Sequence, residues 1–356
     1  MKDGIWSDKL SNVSQVGGIE TSILDNGPGR GLRIAWVNTG TGLRYKIVID
    51  RAMDIAEAFY NQYSLVWLSH SGITPPESFV NRDLDWLQTF GGGLLTTCGL
   101  SHVGGPEKDE FGERGLHGVI SNASATIESI IQPDPANGKL EMSITGIIKE
   151  SRLFGPSLEM RRTISGTLGK AVIHICDEVV NRGNAAVPHM LLYHCNFGWP
   201  LVDEGAEIFW KGRWTPRHPD RNPTIFTTNN NFHKCPPALK DHSGAGEEVG
   251  IVDIDADANG MSVCGIYNEQ LSIAVTIRFE KKQLPWLINW QHWAKGEYVT
   301  GLEPATHPPI GQAAARENST LIFLEPGKVK KYDLFFEVVT GKNGIQNLIN
   351  DGTITN

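Results

Sequence analysis

Alternation with a period of two is the feature that most restricts the folds open to this chain. Leu43, Tyr45, Ile47 and Ile49 alternate with Arg44, Lys46, Val48 and Asp50, and Leu140, Met142, Ile144 and Gly146 alternate with Glu141, Ser143, Thr145 and Ile147. Leu271, Ile273, Val275, Ile277 and Phe279 repeat the pattern most cleanly, and Tyr332, Leu334, Phe336 and Val338 repeat it near the end. Successive side chains of a strand point to opposite faces, so each run sets one apolar face on a core and leaves the other for water or a site. Helical spacing is scarce: residues 82–90 and 345–350 could each make about two turns. Without strand–helix alternation a Rossmann-type sheet is not expected. Asn26-Gly27-Pro28-Gly29, Asn137-Gly138, Asn259-Gly260 and Glu325-Pro326-Gly327 supply turns. The expectation is all-β: a large antiparallel sandwich with few short helices.

The 356 residues are read as one β-sandwich domain (1–356). Within it, 1–33 is read as an N-terminal extension and 210–250, rich in Pro, Asn, His and Gly, as a long loop excursion. A net charge of −8 attracts neither nucleic acid nor an anionic membrane, and no apolar run reaches membrane-span length. Five scattered cysteines (Cys98, Cys176, Cys195, Cys235 and Cys264), with no Cys-x-x-Cys pair, fit reduced thiols. Residues 1–6 lack the apolar stretch of a signal peptide, so a cytoplasmic location is expected. A homodimer stays open.

Three separated segments carry chemistry: Gly115-Leu116-His117-Gly118, Tyr193-His194-Cys195-Asn196-Phe197-Gly198 and Gly301-Leu302-Glu303-Pro304. Pro304 biases Glu303 towards an extended backbone, which suits a carboxylate aimed at a ligand. The bland reading is a solvated turn glutamate. Against it stand Trp286, Trp290, Trp293 and Tyr298, with Gln291 and His292 interleaved. Aromatic platforms beside polar groups match the apolar faces and hydroxyl edges of sugars, although some of these tryptophans are expected in the core. His194 ends an apolar run, where a histidine can exchange protons near neutral pH or simply satisfy a loop carbonyl. His117 has the same two readings, and its flanking glycines would admit a ligand closely.

Other motifs fall away. Phe90-Gly91-Gly92-Gly93-Leu94-Leu95-Thr96-Thr97-Cys98-Gly99 lacks the Gly-Lys-Ser/Thr ending of a P-loop, and is read as a tight β-connection presenting backbone and threonine groups. An EF-hand frame starting at Asp255 places Gly260 correctly but puts Ile266 where a bidentate Glu is required. No His-Glu-x-x-His or paired-Cys motif indicates a metal, and no Gly-x-Ser-x-Gly elbow indicates a serine hydrolase.

With Asp50-Arg51-Ala52-Met53-Asp54-Ile55, the Gly-rich stretch through Leu100 and the three segments taken together, the chain resembles the aldose 1-epimerase (galactose mutarotase-like) superfamily. Within it, the chain resembles the branch known as a domain of unknown function, DUF4432. The resemblance covers roughly residues 34–339. It implies a β-supersandwich and a cofactor-free acid–base site for a small sugar or sugar derivative. Glu303 matches the family's base and His194 its acid, with a different spacing of the following Asn196 and Phe197. His117 matches the sugar-binding histidine and Arg51 the arginine near the first strands. The family's sugar-binding aspartate has no assured counterpart; Asp203 and Asp253 are candidates. Gln291, Trp293, Asn196 and Thr96 complete the expected substrate-binding set. The reaction expected is anomer interconversion by ring opening. A keto-sugar isomerase or epimerase, and a non-catalytic carbohydrate-binding protein, are the alternatives.

Overall fold

The computed structural model describes residues 9–77 and 80–354; the segment 1–6, read above as lacking a leader, lies outside them. Five strands come first: β1 (Gly18–Ile23), β2 (Arg33–Asn38), β3 (Leu43–Val48), β4 (Asp54–Tyr60) and β5 (Tyr63–Ser64), which form a meander. Next are β6 (Thr96–Leu100), the hairpin β7 (Glu107–Asp109) and β8 (Gly112–Arg114), then β9 (Thr126–Ile131), β10 (Glu141–Ser151), β11 (Ser157–Thr167) and β12 (Val172–Asn181). The chain continues through β13 (Val187–Gly198), β14 (Glu207–Trp210), β15 (Gly212–Pro216), β16 (Glu248–Ile254), β17 (Met261–Asn268) and β18 (Ile273–Glu280). It ends with β19 (Trp286–Ala294), β20 (Glu297–Ala305), helix α1 (Gly311–Glu317), β21 (Ile322–Leu324), β22 (Val329–Thr340) and helix α2 (Gly341–Asn350).

Two large antiparallel sheets make the sandwich. One runs β14-β17-β18-β22-β12-β11-β10-β9; the other runs β15-β16-β19-β20-β13-β21, with β6 also pairing β13. The fold is the all-β sandwich expected, and the period-two runs mark its strands. The run that begins at Leu271 enters β18 only at Ile273, Leu271 and Ser272 lying in the turn before it, and the apolar Ile273, Val275, Ile277 and Phe279 of the strand are buried. The four turn signals all fall between strands, with Gly27, Gly138, Gly260 and Gly327 at positive φ, which glycine adopts without a Cβ clash. Of the two helical segments, 345–350 lies in α2, whose Ile345 and Leu348 cover the outer face of the first large sheet. Residues 82–90 form only a short 3₁₀ turn, Asp85–Gln88. Strand β1 lies inside the stretch read as an extension and pairs along β2 from Gly18 to Ile23. Strand β15 likewise lies inside the stretch read as a loop excursion, at the edge of the second sheet against β16.

The main core fills the space between the sheets, joined by inner residues of the meander such as Tyr45, Ile47 and Ile55. A smaller apolar cluster lies on the other face of the second sheet, built from Trp86, Phe90, Cys98, Leu192, Ile288 and Ala305 with Trp67, Trp286 and Trp290 against it. The second sheet is therefore apolar on both sides.

The main core also contains a charge. Arg162 on β11 is fully buried and donates to Asp177 on β12 at 2.9 and 2.7 Å, to Asp54 on β4 at 3.0 Å and to the Ala52 carbonyl at 3.0 Å. Tyr193 on β13 donates its hydroxyl to Asp177 at 2.8 Å, and Thr97 on β6 gives Asp54 both its backbone N–H and its hydroxyl. Burial lifts the Asp54 carboxyl above its ordinary range, with Arg162 pulling the other way. Removing one partner of a buried ion pair leaves an uncompensated charge, a loss of about 3–5 kcal/mol. Arg162→Met is expected to lower stability by that amount, read from urea unfolding; a change below ~1 kcal/mol would show that the cluster is not a stabilising centre.

Candidate active site

The site is set by register. Strand β20 pairs β13 with Cys195 opposite Leu302 and Leu192 opposite Ala305, which puts His194 across from Glu303. On the other side of β13, Thr96 of β6 stands opposite His194. The hairpin between β19 and β20 turns at Lys295-Gly296, with Ala294 opposite Glu297, and so brings Ile288 opposite Glu303 and Trp290 opposite Gly301. Thr96, His194, Glu303, Ile288 and Trp290 consequently share the face of the second sheet that looks away from the main core.

His194 Nε2 lies 3.3 Å from Glu303 Oε1. Both side chains are nearly buried, 8% and 4% exposed, yet His194 Nδ1 and Glu303 Oε1 have no hydrogen-bond partner among the described residues. Glycine 301 makes the approach of the carboxylate feasible, since a Cβ there would stand 2.5 Å from Glu303 Oε1. Aromatic rings wall the pair: Phe90 at 4.9 Å, Trp290 at 5.5 Å and Trp86 at 6.1 Å from the His194 ring by centroid. Burial pushes the Glu303 carboxyl well above its usual range, reinforced by Glu247 and opposed by Arg217. Burial drives the His194 imidazole down to about 3. The two shifts favour an uncharged pair, with the carboxyl protonated and the imidazole neutral.

His117 completes the cluster. Its ring stands perpendicular to that of His194 at 6.1 Å and edge-on to Trp86 at 5.0 Å. Its Nδ1 is buried without a partner, and burial, with His194 adding to it, holds its pKa well below the ordinary value. The residue sits at φ +56°, in the left-handed region that non-glycine residues rarely occupy. The glycines beside it serve the backbone rather than a ligand. A Cβ at Gly118 would come within 2.5 Å of the Gly99 carbonyl, and one at Gly115 within 2.7 Å of the Arg82 nitrogen.

Several expected substrate contacts are elsewhere. Gln291 and Trp293 are odd-numbered positions of β19 and face the main core, both fully buried. Gln291 donates to the Phe232 carbonyl and accepts from the Trp293 indole. Arg51 spends its guanidinium on the carbonyls of Ser121, Thr74 and Thr89 and on the Thr74 hydroxyl, tying together the loops that carry Trp86 and Phe90. Asn196 is on the site face but fully buried, its amide donating to the His194 and Gly93 carbonyls; it holds the His194 backbone. Thr96 is at the site, with its hydroxyl donated to the Gly92 carbonyl at 2.8 Å. Asp253 pairs with Arg213 and Lys281, and Asp203 is exposed beyond the end of β13.

Trp86, Phe90 and Trp67 were not among the site residues expected from sequence, and Trp290, named among the aromatic platforms, was left out of the substrate-binding set. At the rim, Arg217 pairs with Glu247, which also accepts from the Trp290 indole at 2.6 Å. For Trp290 the signal was available: its position relative to the Lys295-Gly296 turn puts it on the face of Glu303. Trp67 and Trp86 had none, because they arrive from loops. No group of three or more His, Cys, Asp or Glu side chains among the described residues could hold a metal ion.

Solved structures share this architecture. A protein of Klebsiella pneumoniae described as a candidate aldose 1-epimerase superposes with a TM-score of 0.84 at 22% identity, over 96% of this chain and 89% of its own. A galactose mutarotase-like protein of Clostridium acetobutylicum gives 0.60 at 14%, over 92% and 100%. A galactose 1-epimerase of Lactobacillus acidophilus gives 0.59 at 10%, over 91% and 99%. At such identities the likeness concerns the fold. No curated relative matches by sequence. The model of one family, a domain of unknown function named DUF4432, matches residues 29–338. Matched over most of its length, and built on the galactose mutarotase-like sandwich, the chain belongs to the DUF4432 family.

Proposed function

We propose that the protein is a carbohydrate-active acid–base enzyme that interconverts sugar anomers. The observation that carries this reading is the His194–Glu303 contact of 3.3 Å inside an aromatic wall. Opening a pyranose ring requires a proton to leave the anomeric hydroxyl and another to reach the ring oxygen. Both oxygens are bonded to the same carbon, so an acid and a base that serve them must be neighbours, and the 3.3 Å separation of His194 and Glu303 supports that role for them. The phenyl and indole rings suit the apolar face of a sugar, and the Trp290–Glu247–Arg217 rim has no net charge to favour an anionic sugar. The names of the solved structures, an aldose 1-epimerase candidate and a galactose 1-epimerase among them, agree with the reading.

The pair holds one proton. Placed on Glu303 it gives the neutral form that burial favours; moved across the contact it gives a carboxylate and an imidazolium. In the second form Glu303 takes the proton from the anomeric hydroxyl while His194 protonates the ring oxygen. The pair is discharged by this step, which removes an ion pair that the site solvates poorly. Rotation about C1–C2 presents the other carbonyl face, and the same transfers in reverse close the ring. His117 and Thr96 border the ring-binding space, and Arg51 and Asn196 keep its walls in place.

Each positioned acid or base is worth typically ~10²–10⁴-fold. Glu303→Gln and His194→Gln are each expected to lose a factor in that range in anomer-exchange NMR across a panel of aldoses, without deuterium entering any carbon-bound position in D₂O. Deuterium at carbon would instead assign the same pair to a keto-sugar isomerase or epimerase. Because one proton suffices for the pair, kcat/KM is expected to hold on acidification through the ordinary histidine range, since the second proton enters His194 only at about 3, and to fall only on the alkaline side, where the raised Glu303 carboxyl gives up the first. A loss of activity on acidification with its midpoint near ~6.5 would contradict the buried assignment. Stability gives a separate check. Above pH ~4.5 the folded chain keeps a proton on Glu303 that the unfolded chain has lost, so this group lowers stability by about 1.4 kcal/mol per pH unit up to its folded pKa. Glu303→Gln should be progressively more stable than wild type over that window; calorimetric melting curves that stay parallel as pH rises would refute the raised pKa.

A further inference from the structure

A cavity lies on the far side of Trp67 from the rings that flank His194. It has a volume of about 630 Å³ and is lined by Trp67, Leu68, Trp199, Asp203, Glu204 and Tyr298, among others, none of them basic. That volume lies in the usual range for small-molecule sites, roughly 300–1,000 Å³. Trp67 is the shared wall: its ring lies 6.0 Å from both Trp290 and Phe90, the rings that flank His194. Trp199 follows the last residue of β13 and is 69% exposed, and Leu68 is 45% exposed. An indole left this open beside carboxylates is the informative kind of exposure, because a fold gains nothing by presenting it to water. Asp203 accepts from the Glu204 backbone with one oxygen, and both carboxylates are exposed on the cavity wall. Trp199 stands in the turn just past β13, five residues after His194, a separation of up to about 16 Å, within the reach of a short oligosaccharide rather than of a single ring.

We propose that this cavity is a subsite for the second and third units of an uncharged reducing oligosaccharide whose first unit lies at His194 and Glu303. The proposal rests on the anomer-exchange reading for the first unit alone. Trp67 and Trp199 supply platforms for the apolar faces of successive rings, and Asp203 and Glu204 accept from their hydroxyls. The carboxylates, with no cation on the cavity wall, turn away uronates and sugar phosphates.

The test uses the full chain and a ladder of gluco- and galacto-configured mono-, di- and trisaccharides, titrated calorimetrically and followed in parallel by anomer-exchange NMR. Affinity is expected to rise at least about tenfold from mono- to trisaccharide. Trp199→Ala should abolish that gain and leave monosaccharide binding intact, and the double change Asp203→Asn with Glu204→Gln should weaken it. A trisaccharide of uronic acids should bind less tightly than its neutral counterpart. If affinity does not rise with length, if the rise survives both variants, or if the uronate binds as well, the subsite is overturned. A Trp199-dependent rise in affinity with no acceleration of anomer exchange for any sugar would uphold the subsite and reject the reaction proposed for the site beside it.

Discussion

The structure depends on one buried cation. Arg162 stands where three layers meet, and its two carboxylate partners come from the meander and from its own sheet. The remaining ligands of those carboxylates are Thr97 and Tyr193, the immediate neighbours of Thr96 and His194. Alternation along a strand turns this into a positioning device. With Thr97 and Tyr193 locked towards the core, Thr96 and His194 must point the other way. A charge buried at considerable desolvation cost thus sets the direction of a side chain on the opposite surface of the sheet.

The site reverses the logic of that centre. Around Arg162 every charge is matched by an opposite charge or a hydroxyl. Around His194, four buried polar atoms (His194 Nδ1, His117 Nδ1, Asn196 Oδ1 and Glu303 Oε1) have no partner among the described residues. Unsatisfied buried groups cost about 1–3 kcal/mol each, and their grouping in one aromatic recess fits a place kept for a hydroxyl-bearing ligand. His117, held at positive φ, adds backbone strain at the same spot, as functional sites often do.

Much of the fold was legible because its code is local. The alternation from Ile273 to Phe279 reads as a strand, although α2 buries Ala274 on the face that the pattern leaves for water, and Asn259-Gly260 reads as a turn. The helix Gly311–Glu317 went unread, since seven residues carry too little periodicity and its burial comes from contacts with the β7 region. At the site, Glu303, His194, His117 and Thr96 were legible as a set, and the structure brings them together. Gln291 and Trp293 were misplaced by composition: an aromatic-rich segment was treated as one surface, while its pleat divides it between the core and the site. Arg51 fails for a different reason. Three carbonyls from distant loops consume its donors, and nothing in the neighbouring sequence announces them.

Glycine 301 has a consequence for reading related chains. The Glu303 carboxylate occupies space that any side chain two positions earlier would contest, so its place beside His194 is specified as much by an absent Cβ as by the carboxyl group. A relative that retains the glutamate but carries alanine at the earlier position would have to shift that carboxylate away from the place it takes here beside the histidine on β13. The pair Gly-x-Glu, rather than the glutamate alone, is therefore the unit that gives the buried carboxylate its present position against β13.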